Sequence, residues 1–251
     1  MIRREDVDRV AVLTMEHGKA NAIDTDLFDA LDDHLDALET SDVAALILTG
    51  SGSAFSAGVD LFKVLDGGAE YLKTFLPALS KGVKRLFSFP KPVVAAINGH
   101  AVAGGCVLAA ACDYRVMAAG RGKIGVTELR VGVPFPVAAM EVLRFLLPSN
   151  ALQRLVYDGS LCGPDDALRL GWVDEVVAAE SLRDRALAVA GRWVEIPDAA
   201  FAITKRQLRG EVAVRMDEAG SLDEEIRKVW EDPRTLAGIR AFMEATVGKK
   251  S

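Results

Sequence analysis

Pro92-Val93-Val94-Ala95-Ala96-Ile97-Asn98-Gly99-His100-Ala101-Val102-Ala103-Gly104-Gly105-Cys106 is the stretch that decides how this chain folds. Pro90 and Pro92 hold the backbone extended. Residues 93–97 form a short, unbroken apolar run, as a strand buried on both faces requires. A glycine-bearing turn follows, and residues 106–111 read as a short helix of small side chains. Working back along the chain, residues 44–49 make a second buried strand, stopped by Gly50. A Gly/Ser-rich loop then leads into Phe55-Ser56-Ala57-Gly58-Val59-Asp60-Leu61, and residues 69–87 read as a helix. Further back lie a strand over residues 10–15 and a turn, His17-Gly18-Lys19-Ala20-Asn21. A helix over residues 25–39 follows, in which Leu27, Leu31, Leu35 and Leu38 recur at helical spacing against an acidic face.

Forward of the stretch, residues 114–117 form another strand, and residues 125–136 a loop with alternating apolar positions. From Val137 the chain is mostly helical, broken by Pro148, Pro164, Pro197 and Pro233. Residues 167–172 and 173–177 read as helix, turn and strand. Strand, strand, helix is thus repeated and followed by a helical tail. The expected architecture is an α/β core over residues 1–182 and a helical region over residues 183–251.

The totals agree with such a class. The chain has 251 residues, half of them apolar and only 6% aromatic, which allows a sizeable α/β core. A net charge of −6, with a short Lys249-Lys250 tail as the main basic run, disfavours nucleic acid as a partner. Local lysines and helix ends can still bind an anionic cofactor. No apolar run is long enough to span a membrane. The opening Met1-Ile2-Arg3-Arg4-Glu5-Asp6 has no apolar leader, so a cytoplasmic location is the expectation. Cys106, Cys112 and Cys162 form no paired motif, and neither they nor His17, His34 and His100 have the spacing of metal ligands. No metal is expected.

Two turns carry the chemistry: residues 55–60, and Ala103-Gly104-Gly105-Cys106. Each releases backbone N–H groups at the end of a strand, just before a helix. Glycine lets the chain turn sharply and lets a ligand approach the backbone, and the helix dipole favours negative charge there. Either turn alone fits an ordinary strand-to-helix connection. Two of them facing one another would give two N–H donors to one oxygen, the arrangement of an oxyanion hole.

In this order, and followed by Ala111-Cys112-Asp113-Tyr114-Arg115, the motifs resemble the crotonase, or enoyl-CoA hydratase/isomerase, superfamily. The resemblance runs from about Val10 to Val177 and fades in the tail. It implies an α/β, crotonase-like spiral of β-β-α units with a helical C-terminal region that serves in oligomerisation. The assembly implied is a homotrimer or a hexamer made as a dimer of trimers. The substrate implied is an acyl-CoA, with coenzyme A entering as part of the thioester and no other cofactor bound. The oxyanion donors fall on the N–H groups of Val59 and Gly104. Ala20, Ala57, Gly58, Asp60, Leu61 and Gly105 match the stretches that bind the acyl-CoA.

The carboxylates distinguish the reactions. In the family's hydratases, one glutamate follows the Gly-Gly-Cys turn directly and a second lies in the loop after the Cys-Asp strand. Here those positions are Val107 and Glu128. Adding water across C2 and C3 needs one group to deprotonate the water and another to deliver a proton, and valine can do neither. Moving a double bond from C3–C4 to C2–C3 needs only one carboxylate, swinging between two carbons. An apolar wall would keep water from the dienolate and raise the carboxylate pKa. Gly104-Gly105-Cys106-Val107-Leu108, residues 112–118, and residues 193–205 with Ile196-Pro197-Asp198 and Thr204-Lys205 are similar to the mitochondrial-type Δ3,Δ2-enoyl-CoA isomerases. These also lack the first glutamate and keep the second.

The expected activity is therefore the shift of a 3-enoyl-CoA to a 2-enoyl-CoA, with Glu128 as the proton shuttle. The alternatives are hydration or another reaction on an unusual acyl group, and, in another class, a non-catalytic acyl-CoA-binding protein. After Glu128 the glycine-rich run of hydratases is replaced by Gly132-Val133-Pro134-Phe135-Pro136, where Phe135 either shapes the acyl pocket or is a core aromatic. Glu141 is expected to be an exposed helical residue and Asp113 to pair locally with Arg115. His100 is read as a turn residue and Cys106 as a buried, inert thiol. Lys19, Lys205 and Arg206 are candidates for contact with the cofactor phosphates.

Overall fold

The computed structural model describes residues 1–18 and 20–247. Its strands are β1 (Ile2–Val7), β2 (Val10–Met15), β3 (Ala45–Gly50), β4 (Ala54–Ser56), β5 (Val93–Ile97), β6 (His100–Val102), β7 (Tyr114–Ala118), β8 (Ile124–Gly125) and β9 (Glu175–Val177). They form two sheets. One has six strands in the order β1-β2-β3-β5-β7-β9, and the other has three in the order β4-β6-β8. All pairings are parallel except β1 with β2.

The two sheets grow together. β3 and β4, β5 and β6, and β7 and β8 each place the first strand in the large sheet and the second in the small one. A helix then carries the chain back: α2 (Leu61–Phe87) after β4, α3 (Gly104–Ala111) after β6 and α4 (Glu128–Val131) after β8. Parallel neighbours require such crossovers. The result is a spiral of β-β-α units, the α/β architecture expected for the crotonase fold, with a helical C-terminal region.

The first strand begins earlier than the apolar pattern indicates. β1 carries charge on both faces and pairs at the sheet edge with β2, with Arg4 and Asp6 bonded to each other at 2.7 Å. Edge strands tolerate such charge. α1 (Thr25–Glu39) has the bounds expected, and its five buried residues are Leu27, Phe28, Leu31, Leu35 and Leu38. Asp24 caps it by accepting from the Leu27 N–H at 2.8 Å. α2 starts at Leu61, not Ala69, and breaks at Gly68, where φ is +53°. The expected helix is its second arm.

Seven further helices complete the described chain: α5 (Val137–Leu146), α6 (Ser149–Asp158), α7 (Pro164–Leu170), α8 (Leu182–Gly191), α9 (Asp198–Asp217), α10 (Gly220–Glu231) and α11 (Pro233–Val247). α8 covers one face of the large sheet through Leu182, Ala186, Val189 and Ala190, against Val12, Ile47, Val94 and Val116. The other face is buried under α1, α2, α3 and α5. α10 packs on α2, and α11 packs on α2 and α4, so the tail returns to the body of its own chain. No helix among the described residues is long and apolar enough to cross a membrane.

A buried ion cluster fixes α9 and corrects two sequence expectations. Asp113 accepts from Lys205 Nζ at 2.7 Å and from the Val93 N–H at 2.8 Å, and lies 3.0 Å from an Arg209 nitrogen. Arg115 pairs instead with Asp174, at 2.6 Å. Lys205 is buried, and burial lowers its pKa against the pull of Asp113. It is therefore committed to the interior and is not free to meet a phosphate.

Candidate active site

The two turns singled out in the sequence touch. A Cβ added at Gly58 would lie 2.7 Å from Val102 O and 3.2 Å from Gly104 N. Gly58 also has φ +86°, in the left-handed region where glycine is free of strain. One at Gly105 would lie 2.3 Å from Ser56 O, so only glycine lets the start of α3 rest on β4. Ala103, at φ +52° without being glycine, holds a strained backbone immediately before α3.

The amides follow from this packing. Ile23 donates its N–H to Gly58 O at 2.8 Å and accepts from Asp60 N–H at 2.9 Å. Successive amides along an extended chain point to opposite sides, so the N–H of Val59 faces away from Ile23. The first N–H groups of α3 have no partner within the helix, whose first bond runs from Val107 N to Ala103 O at 3.1 Å. Gly104 N–H is one of these free donors, at the positive end of the helix dipole.

Both turns open on a cavity of about 200 Å³ lined almost wholly by apolar side chains. Val59, Gly104, Glu128, Ala57, Leu61 and Val107 lie on its wall. Gly58 and Gly105 sit behind that wall. Asp60 turns away to cap α2, accepting from Phe62 and Lys63 N–H groups. Ala20 supports the first turn by accepting from the Ala57 N–H at 2.9 Å. Phe135 is buried in the core and is not among the residues that line the cavity.

Among the described residues that line the cavity, Glu128 is the only one with a titratable side chain. It opens α4, directly after β8, and is 9% exposed. Its Oε2 is buried with no hydrogen-bond partner among the described residues. Burial pushes the carboxyl up to about 7, while hydrogen bonds from its own amide and that of Thr127 pull the other way. A carboxyl that titrates near neutrality inside an apolar cleft is suited to proton transfer.

Glu141 is buried, not exposed. It bonds Arg144 and Arg215, each at 2.6 Å, and these hold its pKa below the usual range although burial opposes them. It is off the cavity wall and has no freedom to act as a base. Cys106 is fully buried, and burial pushes its thiol well above the ordinary value, so it stays protonated. His100 is exposed. Lys19 lies outside the described residues.

Sequence reasoning missed part of the wall. Trp230 from α10 and Phe242 from α11 line the same cavity as Phe28, Leu79 and Val83. Only their bulk in an otherwise charged tail marked them, and that pattern is also the pattern of ordinary packing.

Comparison with known proteins gives one consistent picture. Residues 5–247 match the family model described as enoyl-CoA hydratase/isomerase. The human mitochondrial enoyl-CoA delta isomerase 1 is 32% identical over 210 residues, 82% of this chain and 70% of that protein. The short-chain-enoyl-CoA hydratase of Clostridium acetobutylicum is 30% identical over 220 residues, covering 86% of this chain and 84% of its own length. The crystal structure of human mitochondrial delta3-delta2-enoyl-CoA isomerase superimposes with a TM-score of 0.94 at 28% identity, covering 100% of this chain and 99% of that one.

Proposed function

The chain belongs to the enoyl-CoA hydratase/isomerase family, and we propose that within it this protein moves the double bond of a 3-enoyl-CoA to the 2-position. The observation that carries the reading is a single carboxylate: among the described residues Glu128 is the one acid on the wall of the apolar cavity, and Val107 is a neighbour on that wall.

The steps follow from the groups present. The thioester oxygen sits between the N–H groups of Val59 and Gly104. Glu128 takes a proton from C2, and the electron pair spreads over the thioester and the C3–C4 double bond as a dienolate. The two amides stabilise the charge that develops on oxygen, an interaction stronger in the transition state than in the bound substrate. The protonated Glu128 then returns its proton at C4, leaving the double bond between C2 and C3. No water is consumed, and the valine wall gives a stray water no partner.

Hydration competes with this reading, because relatives of comparable identity carry the hydratase name. It would need a second acid–base group where Val107 stands. A homotrimer or dimer of trimers belongs to the same proposal, supported by the exposed Ile203, Leu208 and Val214 on α9.

The test is a spectrophotometric panel of 3-enoyl- and 2-enoyl-CoAs with the parent and Glu128→Gln. The parent should isomerise 3-hexenoyl-CoA, and the variant should lose a factor of roughly 10²–10⁴, the usual worth of a positioned acid–base group. Water addition to crotonyl-CoA as fast as isomerisation, or a fully active variant, would overturn the proposal.

A further inference from the structure

The cavity has two unlike ends. Ala57 and Leu161 are exposed to solvent and form its mouth. Phe28, Leu79, Val83 and Trp230 are each at most 5% exposed and form its interior. Trp230 is the largest of these, and it is fixed as well as buried. Its Nε1–H donates to Pro134 O at 3.0 Å. A buried indole with its polar edge satisfied and its ring packed swings aside only by giving up that hydrogen bond and its packing.

We infer that Trp230 is the end wall of the acyl cavity and restricts the enzyme to unsubstituted hydrocarbon tails of limited length; this rests on the acyl-CoA reading above. Apart from Thr127 and Glu128, no polar side chain among the described residues beyond the satisfied indole lines the cavity. A tail bearing a hydroxyl or carboxylate would bury that group with no partner. Size sets the limit. A dry cavity of roughly 150 Å³ accommodates a six-carbon ring. One of about 200 Å³ therefore holds an acyl chain of roughly eight carbons by the same measure.

The anchor has a second consequence. Pro134 lies in the loop that follows α4, and Val133 N–H bonds Glu128 O at 3.0 Å. The end wall therefore hangs on the segment that presents the carboxylate. Trp230 is a positioning residue for that segment as well as a stop for the tail.

The test uses saturated straight-chain acyl-CoAs from four to fourteen carbons, which bind without reacting, measured by calorimetry on the full chain. In the parent each added methylene should tighten binding about fourfold until the tail meets the wall, and the gain should vanish near eight carbons. Trp230→Ala should move the break to longer chains. Because that variant removes much core volume, Trp230→Leu provides a milder opening, and Ala139→Leu, which fills the cavity, should move the break to shorter ones. Trp230→Phe keeps most of the bulk and drops the N–H. It should leave the break in place and lower kcat on 3-hexenoyl-CoA while KM stays within twofold.

A smooth rise in affinity through fourteen carbons in the parent, or a break that stays fixed in every folded variant, would overturn the inference. The isomerase reading fails separately. In that case the chain-length break appears in binding, but no 3-enoyl-CoA is isomerised.

Discussion

Gly58 and Gly104 are in backbone contact: the Cβ position of Gly58 lies 3.2 Å from Gly104 N and 3.7 Å separates the Cβ position of Gly104 from Gly58 Cα. The two proposed donors of the oxyanion hole, Val59 N–H and Gly104 N–H, come from segments held at one distance by this contact. A side chain at residue 58 must push them apart.

Gly58→Ala should therefore cost catalysis more than binding. The added methyl meets Val102 O at 2.7 Å, on a backbone at φ +86° that alanine adopts only with strain. The expected loss in kcat is roughly 10²–10³, the worth of one oxyanion donor, with KM changed by less than a factor of about three. Steady-state isomerisation of 3-hexenoyl-CoA checks it. Parent-like kcat in a variant with unaltered circular dichroism would show that the two amides do not act together.

Glu128 should make stability depend on pH in a direction opposite to most carboxylates. Its folded pKa is raised to about 7, from an ordinary value of 4.5, mainly by burial. The folded state thus binds the extra proton between those values, and stability falls as pH rises from about 4.5 through 7, then levels off. The full penalty is on the order of 3 kcal/mol. Glu128→Gln, which cannot ionise, should melt above the parent at pH 8, with the gap closing towards pH 5. Turnover in the parent should rise over the same interval, because the base must be ionised to act. Melting curves for the two proteins that stay parallel from pH 5 to pH 8 would mean the carboxyl titrates near its ordinary value.

The large-sheet strands after β1 and the two turns were legible in the sequence because short apolar runs and small-residue punctuation are local signals; β4, β6 and β8, only two or three residues each, read as turn or loop and become strands only by pairing with one another. The limits of that legibility are equally physical. β1 carries Arg3, Arg4, Glu5 and Asp6, and only its edge position, pairing with β2 alone, makes such a strand acceptable. Glu141 reads as a surface acid in its helix, yet it is buried because Arg215, far along the chain, returns to pair with it. Lys205 is likewise drawn inward by Asp113. Trp230 faces the cavity only because α10 packs on α2. Each of these depends on contacts between distant segments, which no local pattern encodes.

Asp113→Ala should destabilise the protein strongly. It would leave Lys205 and Arg209 buried without their shared carboxylate, 2.7 and 3.0 Å away in the parent. Removing one partner from such a cluster costs about 3–5 kcal/mol, which for a chain of this size lowers the melting temperature by about 10 °C. Thermal unfolding at pH 7 measures it. A shift within 2 °C or so, smaller than about 1 kcal/mol produces, would mean that solvent or other groups take over the pairing.

Val107→Glu tests whether one side chain separates isomerisation from hydration. Val107 is 1% exposed and shares the cavity wall with Glu128. Two carboxyls there cannot both ionise readily, so one is held protonated near neutral pH while the other is ionised. That division is what hydration requires, with one group activating water and the other supplying the proton to C2. Addition of water to crotonyl-CoA should increase by a factor of ten or more in the variant, roughly the lower end of what a positioned acid–base group contributes. Its pH profile should become bell-shaped, and isomerisation should decline as water enters the cavity. A variant that loses isomerisation and gains no hydration at any pH between 5 and 9 would show that the apolar residue at 107 does not set the reaction, and the choice would then rest on how the substrate is placed over Glu128.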